Sequence, residues 1–232
     1  STEVTLDAAK TCNAIFELQP TYDISITYGG DGFGTVNSSP EGVNCGANCT
    51  RYPQDAEITL TAVPEASSRF ISWGVDCPGI SNPITINLDR AKTCTANFQQ
   101  LPKYEVTVTK TGDGSGTLAR NPADGAVCGT DCQMHYQGTQ LTLTATPATG
   151  STFSGWGGDC SSTTSPLVQT VTSKLTCTAN FDQVPTYGLT VKFAGNGNGT
   201  VKNQLVGSST PGTQCGIDCT TTYYQGEQVA LT

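Results

Sequence analysis

A spacing of 83 residues organises this chain and limits its fold more than any other feature. Cys45-Gly-Ala-Asn-Cys49 recurs as Cys128-Gly-Thr-Asp-Cys132 and as Cys215-Gly-Ile-Asp-Cys219, while Cys77 and Cys94 return 83 positions later as Cys160 and Cys177. Thr11-Cys12-Asn-Ala-Ile-Phe16 anticipates Thr93-Cys94-Thr-Ala-Asn-Phe98 and Thr176-Cys177-Thr-Ala-Asn-Phe181. Gly32-Phe-Gly34-Thr35 matches Gly114-Ser-Gly116-Thr117 and Gly197-Asn-Gly199-Thr200. Such a period means one small packed unit written several times, so the fold is set by what a unit of that size can bury.

The register gives the boundaries. Residues 1–20 read as the C-terminal part of a repeat, 21–102 and 103–185 as complete repeats, and 186–232 as the N-terminal part of another. Val229-Ala-Leu-Thr232 aligns with Leu141-Thr-Leu-Thr144, and Ser1 falls near Pro83, so the expectation is a window of about three repeats that lacks one Trp-bearing hairpin. Leu18-Gln-Pro20, Leu101-Pro102 and Val184-Pro185 run, with one residue between, into the Tyr that opens the next unit. Proline there fixes φ, and no Gly/Ser spacer intervenes, which predicts a stiff rod of modules.

Within a unit the apolar residues alternate. Tyr22-Asp-Ile-Ser-Ile-Thr-Tyr28, Tyr104-Glu-Val-Thr-Val-Thr109 and Glu57-Ile-Thr-Leu-Thr-Ala62 have the period of two that half-buried strands show. Phe70-Ile-Ser-Trp73, Ile84-Thr-Ile-Asn-Leu88 and Thr93–Phe98 add further strands, and Gly34-Thr-Val36 a short one. Six strands per unit and no helical period predict an all-β fold: a tandem array of small β-sandwich or β-grasp-like modules. Thr50–Ala56 is the one stretch left that could form a helical turn.

Eleven cysteines in 232 residues exceed what a reducing compartment tolerates and point to disulfides formed in an oxidising one. Ten of them divide among the repeats: Cys45, Cys49, Cys77 and Cys94, then Cys128, Cys132, Cys160 and Cys177, then Cys215 and Cys219. Four cysteines allow three pairings. Local pairing, Cys45 with Cys49 and Cys77 with Cys94, is favoured because Trp73 and Trp156 precede Cys77 and Cys160, where an indole can pack on a buried bridge. Cys12 is then left unpaired in this window, separated from the upstream partner its repeat would supply. With 19 acidic against 11 basic residues the net charge is −8, which disfavours nucleic acid and anionic membrane surfaces. No apolar run approaches the roughly 18 residues of a membrane helix, so no membrane insertion is expected.

These residues resemble the bacterial divergent internalin B-type repeats. The shared pattern appears here as Gly34-Thr-Val36, Pro40, Cys45 and Cys49, Tyr52, Leu60-Thr-Ala-Val-Pro64, Phe70, Trp73, Cys77 and Ala96-Asn-Phe98. The second copy keeps Gly155-Trp156, and the third departs at Gly207-Ser-Ser-Thr210 and Tyr223-Tyr224. The resemblance implies a β-rich extracellular or cell-surface module used in tandem, without a catalytic site.

Few residues outside that pattern suggest chemistry. Cys-x3-Cys spacing falls within the range of zinc sites, but His135 is the single histidine and is not repeated, with Arg51 and Thr222 in its region, so no metal is expected. Asp31, Asp113 and Asn196 lie in Gly-rich turns too poor in oxygens for a calcium loop. Asp76 and Asp159 read as turn caps, and Tyr52, Tyr136 and Tyr224 as core or inter-repeat contacts. Asn37, Asn48 and Asn198 fit the glycosylation acceptor pattern without recurring together. No cofactor and no catalytic residue is expected. The leading expectation is therefore a non-catalytic structural segment of a long extracellular tandem-repeat protein: a fibre, stalk or adhesin shaft, partnered by neighbouring repeats or by like chains head to tail. Strand addition from residues 1–20 of one chain to the partial repeat of the next would fit, but the two ends together still lack the Trp hairpin, and an excerpt of a longer array is simpler. The alternative is a carbohydrate- or surface-binding module of a secreted enzyme or adhesin, which needs Trp73 and Trp156 exposed.

Overall fold

The computed structural model describes residues 3–232. It divides into two compact units, Ser1–Leu101 and Pro102–Thr232. All regular structure is β among the described residues, and no helix is long and apolar enough to cross a membrane. The alignment of Ser1 with Pro83 lies outside the described residues.

In the first unit eight strands form two sheets. These are β1 (Thr21–Gly30), β2 (Gly34–Ser39), β3 (Val43–Gly46), β4 (Cys49–Pro53), β5 (Glu57–Pro64), β6 (Ser68–Val75), β7 (Ile84–Asn87) and β8 (Lys92–Gln100). One sheet runs β3-β4-β1-β8-β6 and the other β2-β5-β7. The alternation seen in the sequence decides which face goes inward: Ile24, Cys94, Ala96 and Phe98 from the larger sheet meet Ile58, Leu60 and Ala62 from the smaller, all buried. Two layers with no helix make each module a sandwich, not a β-grasp. Residues Thr50–Pro53 extend as β4 against β1 rather than coiling, because Thr50 and Tyr52 alternate with exposed Arg51 and pair with Ile24 and Tyr22.

The closing strand β8 is central. It pairs in parallel with β1, Ile26 opposite Cys94 and Gly30 opposite Phe98, and antiparallel with β6. A parallel partner must come from a crossover rather than a hairpin. Here the crossover is the rest of the repeat, so the last strand welds the first into the sheet.

The second repeat repeats this plan with β9 (Lys103–Thr111), β10 (Gly116–Asn121), β11 (Ala126–Gly129), β12 (Cys132–Tyr136), β13 (Gln140–Pro147), β14 (Ser151–Gly158), β15 (Leu167–Thr170) and β16 (Leu175–Gln183). The sheets run β11-β12-β9-β16-β14 and β10-β13-β15. Its core, from Val106 and Val108 to Phe181, follows the first at most positions, with Leu175 where the first has Lys92 and His135 where it has Tyr52.

Residues after Pro185 hold five short strands: β17 (Thr186–Val191), β18 (Val201–Leu205), β19 (Thr213–Cys215), β20 (Cys219–Tyr224) and β21 (Val229–Leu231). They pair as β17-β20 and β19-β18-β21. The segment before Pro20 contains no strand among its described residues, although Thr11–Phe16 has the closing-strand pattern. Its apolar side chains are exposed, Phe16 at 92% and Leu18 at 98%. Among the described residues no strand pairs with this segment.

Candidate functional site

The structure concentrates its chemistry where the Trp-bearing loop meets the closing strand. Cys77 and Cys94 are bonded, as are Cys160 and Cys177, and each pair bridges the loop after β6 or β14 to β8 or β16 inside the core. The short pairs Cys45–Cys49, Cys128–Cys132 and Cys215–Cys219 are also bonded, the first two clamping the β3-β4 and β11-β12 hairpins nearer the surface. Cys12 is free and exposed.

Two carboxylates reinforce the buried bridges. Asp76 Oδ2 accepts the Thr93 backbone N–H at 2.9 Å, and Arg90 donates to its Oδ1 at 3.0 Å. The Thr93 N–H first and the Arg90 guanidinium second hold the Asp76 carboxyl below its ordinary range. Asp159 accepts the Thr176 N–H at 2.8 Å in the same way. Both aspartates thus tie the loop to the strand that carries the cysteine. Asp31 and Asp113 play a matching part at the strand's far end, accepting the N–H of Gln100 and Gln183, each at 2.9 Å. One oxygen of each is thereby engaged by the closing strand's backbone.

The tryptophans lie inside. Trp73 is 3% and Trp156 5% exposed, and their indole N–H groups donate to the Ser81 and Thr164 carbonyls, each at 3.1 Å. Phe70 and Phe153 pack on them with ring centroids 5.4 and 5.5 Å away. An indole satisfied and covered in this manner offers no face to a sugar ring, so the stacking platform required by a carbohydrate-binding module is absent at these positions.

His135 corresponds to Tyr52, not to Arg51. Strand register puts Tyr22 opposite Tyr52, Tyr104 opposite His135 and Tyr187 opposite Tyr223, so Tyr52 and Tyr223, not Arg51 and Thr222, are its counterparts. Tyr136 and Tyr224 match Pro53 instead, and the apparent recurrence of Tyr52, Tyr136 and Tyr224 is not one structural position. The 83-residue period already pairs Tyr52 with His135, and one extra residue in β20 puts Tyr223 rather than Thr222 at that position in the third copy. His135 therefore replaces a core aromatic. Burial pushes its pKa down, with Arg120 acting the same way and Asp124 opposing. The unfolded chain then binds the proton more readily than the folded one. Stability of the second repeat is full above the ordinary histidine value of 6.5 and falls as pH drops below it. Calorimetry between pH 7 and 5 should show this slope in the second repeat, and His135→Tyr should remove it.

The Asp23 carboxylate and the sulfurs of Cys45 and Cys49 lie within 4.8 Å of one another. The sulfurs are bonded to each other, and Asp23 pairs bidentately with Arg51 at 2.7 and 3.0 Å. Zinc takes thiolates, so this cluster in its bridged form does not present a ligand set.

A family model described as the divergent InlB B-repeat domain matches residues 24–102 and 104–185. No curated protein matches the sequence. Among solved structures, a streptococcal ancillary pilin is similar at 12% identity and a TM-score of 0.41, over 71% of this chain and 63% of that one. The shaft pilin spaA from Lactobacillus rhamnosus GG is similar at 8% identity and a TM-score of 0.26, over 73% of this chain and 99% of that one. The chain thus spans less than two thirds of the length of the first of these structures.

Proposed function

The chain belongs to the divergent InlB B-repeat family, and from that membership we propose that it is a non-catalytic structural segment of an extracellular tandem-repeat protein, a stalk, fibre or adhesin shaft. On this reading 21–102 and 103–185 are whole repeats, and 1–20 and 186–232 are parts of repeats. The observation that carries it is the covalent weld at matched positions: Cys77–Cys94 and Cys160–Cys177 tie the Trp loop to the closing strand in both repeats. Bridges of this kind persist outside the cytosol. They suit a module that has to survive proteases and tension, because the last strand and the loop before it cannot separate while the bond holds. The buried indoles weigh against the sugar-binding alternative.

Stretching the oxidised chain in a single-molecule instrument tests this. Each complete repeat should unfold as a separate event whose length gain is shortened by the residues locked between Cys77 and Cys94, or Cys160 and Cys177. Reductant should restore the full length and lower the force. A chain whose force and protease resistance are unchanged by reductant would refute the role of the bridges. A reproducible, saturable affinity for a glycan in array screening would favour the binding-module reading instead.

A further inference from the structure

The two complete repeats differ in what fills the mouth between their sheets. Strand register fixes the equivalent positions there. Tyr28 and Lys110 stand opposite Ala96 and Ala179, and Ser38 and Arg120 opposite Leu60 and Leu143. Thr50 and Gln133 stand opposite Ile24 and Val106. In the first repeat two tyrosines close the mouth. Tyr28 stacks on Phe98 with centroids 6.4 Å apart, and the Tyr52 hydroxyl donates to Ser38 Oγ at 2.7 Å. The space left is about 90 Å³. In the second repeat Lys110 and His135 take the places of Tyr28 and Tyr52, and an imidazole lacks the phenol's reach to the facing strand. The cavity there is about 490 Å³, inside the range of about 300–1,000 Å³ that small-ligand sites occupy. Val108, Lys110, Leu118, Arg120, Asp131 and Gln133 form its walls.

Three features of that lining select a ligand. The first is unpaired positive charge. Arg120 Nη2 donates to the Asp131 and Val108 carbonyls at 2.6 and 3.3 Å, and Lys110 Nζ to the Gly116 carbonyl at 3.2 Å. Neither side chain forms an ion pair among the described residues, in a chain whose net charge is −8. Arg120 is held by one nitrogen, so its remaining N–H groups are left for a carboxylate, which a guanidinium fork matches. The Asp131 carboxylate offsets only part of the charge of Lys110 and Arg120, and a monoanion is the best fit. The second feature is an orphaned acceptor. Gln133 Nε2 donates to the Ala123 carbonyl at 3.3 Å, which leaves Oε1 buried without a donor among the described residues. A buried acceptor of this kind costs free energy until an N–H or O–H reaches it. The third is the apolar wall of Val108 and Leu118 beside these polar groups.

We propose that the mouth of the second repeat binds an α-carboxylate with a neighbouring N–H and an aliphatic side chain, the chemistry shared by a free amino acid and a peptide C-terminus. The carboxylate sits between Lys110 and Arg120, the N–H donates to Gln133 Oε1, and the aliphatic group lies on Val108 and Leu118. The first repeat, closed by Tyr28 and the Tyr52–Ser38 bond, has no such site and serves as the internal control. This assignment goes beyond the structural reading above and does not depend on it.

The test is titration of the 232-residue chain with N-acetylleucine, followed by amide NMR. Saturable shifts should appear on β9, β10 and β12, with the first repeat unmoved. N-acetylleucinamide, which lacks the carboxylate, and isocaproate, which lacks the N–H, should each bind at least about tenfold more weakly, as loss of a charge-assisted or buried hydrogen bond does. Free leucine and Gly-Gly-Leu distinguish the sources: tighter binding of the first assigns a free amino acid, and of the second a peptide C-terminus. Arg120→Ser should weaken N-acetylleucine at least about tenfold. The double variant Arg120→Ser/His135→Tyr rebuilds the Tyr–Ser bond of the first repeat, so it should lose binding while the second repeat keeps its thermal transition. The proposal is overturned by the absence of saturable shifts or by equal shifts in the first repeat. Undiminished affinity for the amide or for isocaproate, inorganic phosphate binding as tightly as N-acetylleucine, or a folded double variant that binds like the parent would overturn it too.

Discussion

Phe98→Ala is expected to melt the first repeat selectively. The ring is 1% exposed, lies 6.0 Å from Phe70 and 6.4 Å from Tyr28 by centroid, and covers Gly34. Truncating a buried phenylalanine costs about 3–5 kcal/mol through lost transfer energy and the cavity left behind. Glycines cannot collapse into that cavity, since they have no side chain to move. Against a net stability of about 5–15 kcal/mol for a whole domain, that is a large share. For a module of this size each kcal/mol moves the midpoint by about 4–8 °C, so a drop of at least about 12 °C is expected. The two cores are separate clusters, one ending at Phe98 and the other at Phe181. Calorimetry should therefore show one transition moving and one staying, with the converse for Phe181→Ala. A shift of both together would mean that the repeats unfold as one body.

Removing the Cys77–Cys94 bridge by a double alanine substitution should cost about 3 kcal/mol in the chain-entropy account, against about 2 for Cys45–Cys49. The sequence separations, 17 and 4, set that order. Burial widens the gap: Cys77 is 2% and Cys94 0% exposed, whereas Cys45 and Cys49 are half-buried. Removing the inner pair therefore also thins the packing under Trp73. Denaturant melts of the two double variants side by side should give the larger midpoint shift for the inner pair. Equal shifts would assign the stabilisation to the hairpin clamps instead.

Much of the architecture is legible in the residues alone. The spacing of Cys, Gly and Phe defines the unit, and alternation at Ile24, Ile58, Leu60 and Phe98 identifies the inward faces, because a side-chain period of two commits each residue to one face of a sheet. The aspartates beside the cysteines read as turn caps in the sequence, whereas in the fold they accept the Thr93 and Thr176 N–H groups of the distant closing strand. Other features are not legible. The equivalence of Tyr52 and His135 follows from the 83-residue period itself, but that of Tyr223 does not, because one inserted residue in β20 shifts it from the position sequence spacing gives to Thr222. Strands β3 and β4 carry too few apolar residues to announce themselves, yet they pair because the Cys45–Cys49 hairpin brings their backbones together.

The sequence by itself determined the repeat, its all-β character and the residues that make the core, since these follow from periodicity and from the chemistry of each side chain. Only the tertiary structure decided that the closing strand joins the opening one in parallel, with the Trp strand outside it. That pairing links residues about 70 positions apart, and no local pattern encodes which of several suitable edges a strand will take.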